Sequence, residues 1–266
     1  MTDLYPLLLS PVIGIVSGLL AGLFGIGGGL VIVPALNLAF ATFDMGVPPD
    51  GRMHFAIGSS LAVIVFTAVS STRAHHARGA IVWQAFRRLV PGILAGGLTG
   101  AALADALANR TLQVTFGALV IAIAIYIILG YRPPIGRGLP GRPAHLAVGF
   151  VIGVVSALAG IGGGVMTVTF LLRAAVPLRH AVGTAAACTL PAAVAAAAGF
   201  AFMGWGVDGP AWSTGYILWP AVLGISVGSM VMAPVGAWLA HTLPVNQLRK
   251  AFALLLVIMG LKMIAG

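Results

Sequence analysis

The chain has 266 residues, of which 14 are Lys or Arg and 5 are Asp, so only 7% are charged while 60% are apolar; its mean hydropathy is +1.08 and its formal net charge +9. A soluble domain carries about 25% charged residues, so a soluble fold is excluded and an integral membrane protein is predicted. The single cysteine, Cys188, excludes an internal disulfide and a Cys-x-x-Cys redox pair. The basic surplus sits in short loops between apolar runs, as in cytoplasmic membrane loops, and does not point to nucleic acid. Met1-Thr-Asp-Leu-Tyr-Pro lacks a positive n-region, so the first apolar run is expected to stay in the mature protein.

Taken in chain order, helical segments are predicted at 7–24, 29–42, 54–72, 81–107 and 112–131, then at 146–159, 164–176, 181–203, 214–240 and 247–265. The two sets repeat one unit. Gly25-Ile26-Gly27-Gly28-Gly29 recurs as Gly160-Ile161-Gly162-Gly163-Gly164, flanked by Gly14, Gly18 and Leu23 in one copy and Gly149, Gly153 and Leu158 in the other. Ala56-Ile57-Gly58-Ser59 corresponds to Ala181-Val182-Gly183-Thr184, and Leu112 and Phe116 to Leu248 and Phe252. Landmarks in the same order indicate a duplication. The expected division is 1–140 and 141–266, two transmembrane repeats within one compact membrane domain.

A full span needs about 20 apolar residues, and the pieces beside each glycine run barely reach that. Each half therefore opens with a glycine-broken hairpin or a broken helix. Arg73, Arg78, Arg87 and Arg88 mark one cytoplasmic loop, and Arg132, Arg137 and Arg142 another; Asp44, Asp50 and Arg52 mark an outer one. In the second half Arg173 and Arg179 follow the glycine hairpin, Asp208 lies in the next loop, and Arg249-Lys250 marks the turn after it. These signs fit an all-α polytopic protein of two inverted repeats, about five helical segments each, with both termini periplasmic. Counting each hairpin as one span gives eight helices and parallel halves, and places the loop at Arg173 outside. Eight to ten membrane helices are thus open on the sequence.

Glycine-rich backbone at membrane depth survives only where it is buried in protein or lines an aqueous cavity. Helices starting near Gly29 and Gly164 would present free N–H groups and a positive dipole end, as broken helices do in inverted-repeat transporters. The alternative is close helix crossing, which better explains Gly14, Gly18 and Gly22, and Gly92, Gly96 and Gly100. Ser59, Ser60 and Thr184 start the following helices and could donate to an anion or simply cap. Cys188 reads as a small buried hydrophobe. His54 and His180 could gate or couple protons, or be interfacial histidines. Arg87 and Arg88 read as interface anchors, and Lys262 near the end of the last helix as a snorkelling lysine. No carboxylate is expected mid-span, so an anionic substrate is the natural guess. Gly224-Ile225-Ser226-Val227-Gly228 matches G-x-S-x-G without its strand context or an acidic partner. The glycine runs lack the residues of a nucleotide-binding loop. No enzyme, cofactor or metal site is expected.

The doubled glycine stretches, Ala56-Ile57-Gly58-Ser59-Ser60, Arg78-Gly79-Ala80-Ile81-Val82-Trp83 and His180-Ala-Val-Gly-Thr184 resemble the sulfite exporter TauE/SafE family of bacterial permeases. The resemblance runs from about residue 8 to 264. It implies transport of a small sulfur-containing anion (sulfite, thiosulfate or an organosulfonate) across the inner membrane. Family members are commonly predicted with seven or eight spans, which the ten-segment count revises. Carried over, the motif assigns substrate binding to Gly25, Ile26, Gly27, Gly28 and Gly29, to Gly160, Ile161, Gly162, Gly163 and Gly164, and to Ser59, Ser60 and Thr184. Ala185 stands where the family often has Ser, so the two sites are not equivalent. A secondary transporter working by alternating access is expected, with a gated anion channel and a non-transporting scaffold as the rival readings. Oligomeric state and transport direction stay open.

Overall fold

A computed structural model describes residues 4–24, 28–43, 45–129, 138–242 and 245–266. Ten α-helices lie among the described residues: α1 (Leu4–Phe24), α2 (Gly29–Thr42), α3 (Arg52–Ala77), α4 (Trp83–Asp105), α5 (Asn109–Leu129), α6 (Arg142–Ala159), α7 (Gly164–Arg173), α8 (Leu178–Met203), α9 (Trp219–Thr242) and α10 (Val245–Ala265). Five described helical segments, those at Pro49–Ala77, Asn109–Leu129, Arg142–Ala159, Leu178–Met203 and Trp219–Gly236, are long and apolar enough to cross a membrane. Three apolar pieces, Leu9–Ala21, Gly29–Thr42 and Gly164–Arg173, are shorter. The chain is an all-α polytopic membrane protein.

The expected segment 214–240 differs at its start. Ser213–Thr214 (β1) pairs antiparallel with Ile217–Leu218 (β2), and α9 begins only at Trp219. Gly215 at φ +54° turns the chain, a conformation a helix cannot continue through. Apolar patterning carries the helix back to 214, and one turn residue stops it.

Helix pairing follows the small residues. A Cβ on Gly14 would meet Ile225 backbone and one on Gly18 Ser229 backbone, so α1 and α9 lie parallel in near contact. On the other side Gly92, Gly96 and Gly100 of α4 meet Leu146, Phe150 and Val154 of α6, again in parallel. Glycines let the backbones close without side chains between them. By contrast, α3 and α8 are antiparallel, since Gly58 lies against Phe200 while Thr72 donates to the Ala186 carbonyl at 3.3 Å. In α5 and α10, likewise antiparallel, Arg110 bonds the Ile264 carbonyl at 2.6 Å and Gly117 meets Gly260.

These contacts recur when the halves are exchanged. The α1–α9 pair has its counterpart in α6–α4, and α2–α3 in α7–α8, while α3–α8 and α5–α10 map onto themselves. Because the self-mapped pairs are antiparallel, the two halves run in opposite senses. The 140/141 division falls between α5 and α6. One end of the bundle carries Arg73, Arg78, Arg87, Arg142, Arg173, Arg179 and Lys250, the basic face; there the Arg179 guanidinium donates to the Arg78 carbonyl at 2.8 Å. The other end, the hairpin face, carries Asp50, Asp105 and Asp208 together with the start of α1 and the end of α10. Exposed Trp205, Trp212 and Trp219 ring the hairpin end and Trp83 and Trp238 the basic end, as indoles do at membrane interfaces. Phe55, Phe116 and Phe200 are wholly buried between.

Candidate functional site

The glycine break of the second half is built by a helix stop and a helix start. α6 ends at Gly160, whose φ of +58° lets its N–H reach the Ala157 carbonyl and that of Ile161 reach Ser156. The Ser156 hydroxyl donates to the Ile161 carbonyl. The chain turns again at Gly163, φ +67°, which is the N-cap of α7 and has no side chain to cap it. Among the described residues no acceptor meets the N–H groups of Gly162, Gly163 or Gly164. An uncapped helix start of this kind carries a partial positive charge and free donors.

Gly162 and Gly164 border a cavity of about 520 Å³ between the halves. Gly28 lies on one side and Gly162 and Gly164 on the other, with the hydroxyls of Thr67, Ser71, Thr169, Thr189 and Ser229 around it. His75 and Val182 line its extension towards the basic face. No carboxylate or guanidinium is among its described lining residues. The Thr189 hydroxyl donates to the Ala185 carbonyl at 3.0 Å and sits 3.7 Å from where a Cβ on Gly164 would stand. Thr67 donates to Ile64 at 3.2 Å, and Thr169 to Val165 at 2.8 Å. Such back-bonded hydroxyls keep a donor that can turn to a ligand.

The helix start after the first break meets the second break, and the two starts are not alike. A Cβ on Gly29 would meet the Gly160 carbonyl oxygen, so the start of α2 lies directly on the end of α6. Ile64 covers Gly29, and the equivalent position beside Gly164 is Thr189. Gly29 is thus covered by an aliphatic side chain and Gly164 faced by a hydroxyl. Gly25, Ile26 and Gly27 lie outside the described residues.

Ser59, Ser60 and Thr184 do not line the cavity; all three are fully buried. Ser59 accepts the Leu218 N–H at 3.0 Å, and Thr184 accepts the Val82 N–H at 2.8 Å. Each hydroxyl therefore holds the residue that leads into a helix of the opposite half, α9 or α4. Ser60 donates to the Gly160 carbonyl at 3.0 Å, an anchor that Ala185 cannot reproduce in the second copy. Ser59→Ala leaves a buried N–H unpaired, a loss of about 1–3 kcal/mol. The expected result is a lower melting temperature with unchanged substrate affinity; an affinity loss at unchanged melting temperature would make Ser59 a ligand instead.

His54 lies on the hairpin face, its Nε2 3.0 Å from the Ala104 carbonyl and its ring 5.0 Å from that of Tyr216. The Tyr216 hydroxyl donates to Asp105 at 2.9 Å. Its pKa is pushed up to about 12, first by burial and then by the hydrogen bond and charge of Asp105, so it stays a donor at neutral pH. This cluster fastens the hairpin over its end of the bundle. His180 starts α8 near the basic face and, like His54, lies outside the cavity lining. Cys188 is buried, packed among Leu89, Ile93 and Ile152.

Thr67, Ser71, His75 and Thr189 escaped the reading of the sequence. Three of them carry a signal: Thr67, Ser71 and His75 recur every four residues, a polar stripe on one face of an apolar helix. Among the described residues no group of three His, Cys or acidic side chains could hold a metal.

The profile of the sulfite exporter TauE/SafE family matches residues 11–263. A "Probable membrane transporter protein" of Haemophilus influenzae is 37% identical over 259 residues, covering 97% of both chains. One of Methanocaldococcus jannaschii is 26% identical over 98% of this chain and 96% of its own. A third, from Bacillus subtilis, is 30% identical over 92% and 94%. No solved structure matches significantly. With the match spanning both glycine breaks and every described helix but the ends, the chain belongs to the sulfite exporter TauE/SafE family of membrane transporters.

Proposed function

We propose that the protein is a secondary transporter that carries a small sulfur-containing anion, such as sulfite, thiosulfate or an organosulfonate, across the bacterial inner membrane by alternating access. The observation that carries this reading is the uncapped start of α7 opening on the central cavity, with Thr189 beside it and no carboxylate in the described lining. In this site the N–H groups of Gly162 and Gly164 take the anion's oxygens, and Thr189 turns its hydroxyl from Ala185 to the ligand. The helix dipole adds to this, and low surrounding polarity strengthens both. Gly28 forms part of the facing wall. The halves 1–140 and 141–266 rock against each other around this point. By the sidedness of basic loops the basic face is cytoplasmic, and both ends of the chain lie on the periplasmic side.

The test is a melting screen in detergent over sulfite, thiosulfate, taurine and sulfoacetate with carboxylate controls, followed by counterflow in proteoliposomes. A sulfur anion that raises the melting temperature should drive saturable counterflow. Thr189→Val should weaken its binding by about tenfold or more, since hydrogen bonds to charged groups contribute about 1.5–3 kcal/mol. Stabilisation by no sulfur anion overturns the reading, and single-channel currents in place of counterflow make it a channel.

A further inference from the structure

Beside the central cavity runs a second recess of about 630 Å³, open on the outer surface between α5, α6 and α7. Its walls are apolar: Leu119 and Ile123 of α5, Val151 and Val155 of α6, and Phe170 of α7. The charged residue in its described lining is Arg173, which lies at its basic-face end, is exposed, and has no acceptor among the described residues. Tyr126 and Thr169 line both spaces, and the 2.9 Å hydrogen bond between their hydroxyls forms part of the partition between them.

The dimensions suit a single acyl chain. From Gly163 to Arg173 the groove follows α7 for ten residues, about 15 Å at 1.5 Å per residue. Half the hydrocarbon core of a bilayer is also about 15 Å. The groove thus reaches from mid-membrane to one interface, with a cation at the interface end. We infer that this groove binds one acyl chain of an anionic phospholipid of the basic-face leaflet, with the lipid phosphate held by Arg173. The chain then covers the Tyr126–Thr169 partition and closes the central cavity towards the bilayer.

Native mass spectrometry of the detergent-solubilised protein tests this with phosphatidylglycerol and phosphatidylcholine of identical chains. A basic side chain contributes roughly 1 kcal/mol to anionic-lipid attraction, so the first phosphatidylglycerol should bind about fivefold more tightly than phosphatidylcholine. Arg173→Gln should bring that ratio close to one, while Arg87→Gln, on α4 away from the groove, should preserve it. Val151→Trp, or Leu119→Trp from the opposite wall should the first not fold, fills the groove and should weaken both lipids. Glycerol phosphate, the head without chains, should not compete. Retention of the fivefold ratio by Arg173→Gln, or wild-type phosphatidylglycerol binding by the groove-filling variant, overturns the assignment.

Discussion

Replacing Gly164 by leucine is expected to abolish flux in proteoliposomes, by tenfold at the least, while the protein melts at or slightly above the wild-type temperature. Gly164 is the first residue of α7, and among the described residues the only atom near a Cβ added there is the Thr189 hydroxyl at 3.7 Å. The leucine side chain therefore enters the cavity and stands where an anion would meet the helix start. The backbone there is helical, so loss of glycine gains up to about 1 kcal/mol. The neighbouring glycines are poorer probes. A Cβ on Gly162 runs into the Thr189 methyl group, and Gly163 at φ +67° strains any other residue. Flux and melting temperature measured together decide the matter: normal transport by a folded Gly164→Leu protein removes α7 from the substrate path.

Gly153→Leu should fail in the opposite way, with little folded protein recovered. A Cβ on Gly153 would stand 2.6 Å from the Gly97 amide nitrogen and 2.9 Å from the Gly96 carbonyl carbon. Backbone cannot swing aside as a side chain can, so α4 and α6 must separate along their length. Overpacking costs about 1–3 kcal/mol where side chains can adjust, and here the upper end is a floor. Against a net stability of about 5–15 kcal/mol, that is a large fraction. Size-exclusion profiles and melting curves report it; a Gly153→Leu protein with a wild-type profile would show that the α4–α6 contact is looser than described.

Most of the helices and the glycine faces of α1 and α4, though not the helices they meet, were legible in the sequence because their causes are local. Apolar runs of fixed length make helices, and glycines four residues apart, such as Gly92, Gly96 and Gly100, mark a face that meets backbone. The roles of the hydroxyls were not legible. Ser59, Thr184 and Ser60 find their partners 159, 102 and 100 residues away, at Leu218, Val82 and Gly160. Nothing beside Ser59 in the chain distinguishes a hydroxyl that holds a distant loop from one that holds a ligand. Thr189 was missed for a related reason: its importance comes from the copy it departs from, Ile64, and appears only when the two breaks are laid side by side. The hairpin at 213–218 was hidden by its composition, since Ile217 and Leu218 continue the apolar run of α9.

The reciprocal hold of Ser59 on Leu218 and of Thr184 on Val82, together with the crossed seams α1–α9 and α6–α4, bears on how such a molecule could arise. In each seam one helix belongs to the first half and one to the second. A single half on its own would expose glycine-faced helices to lipid and leave its lead-in amides unclasped. A half-length ancestor could satisfy those surfaces only against a copy inserted upside down. Joining such a pair in one chain would keep those surfaces covered and leave positions such as Ile64 and Thr189 free to differ.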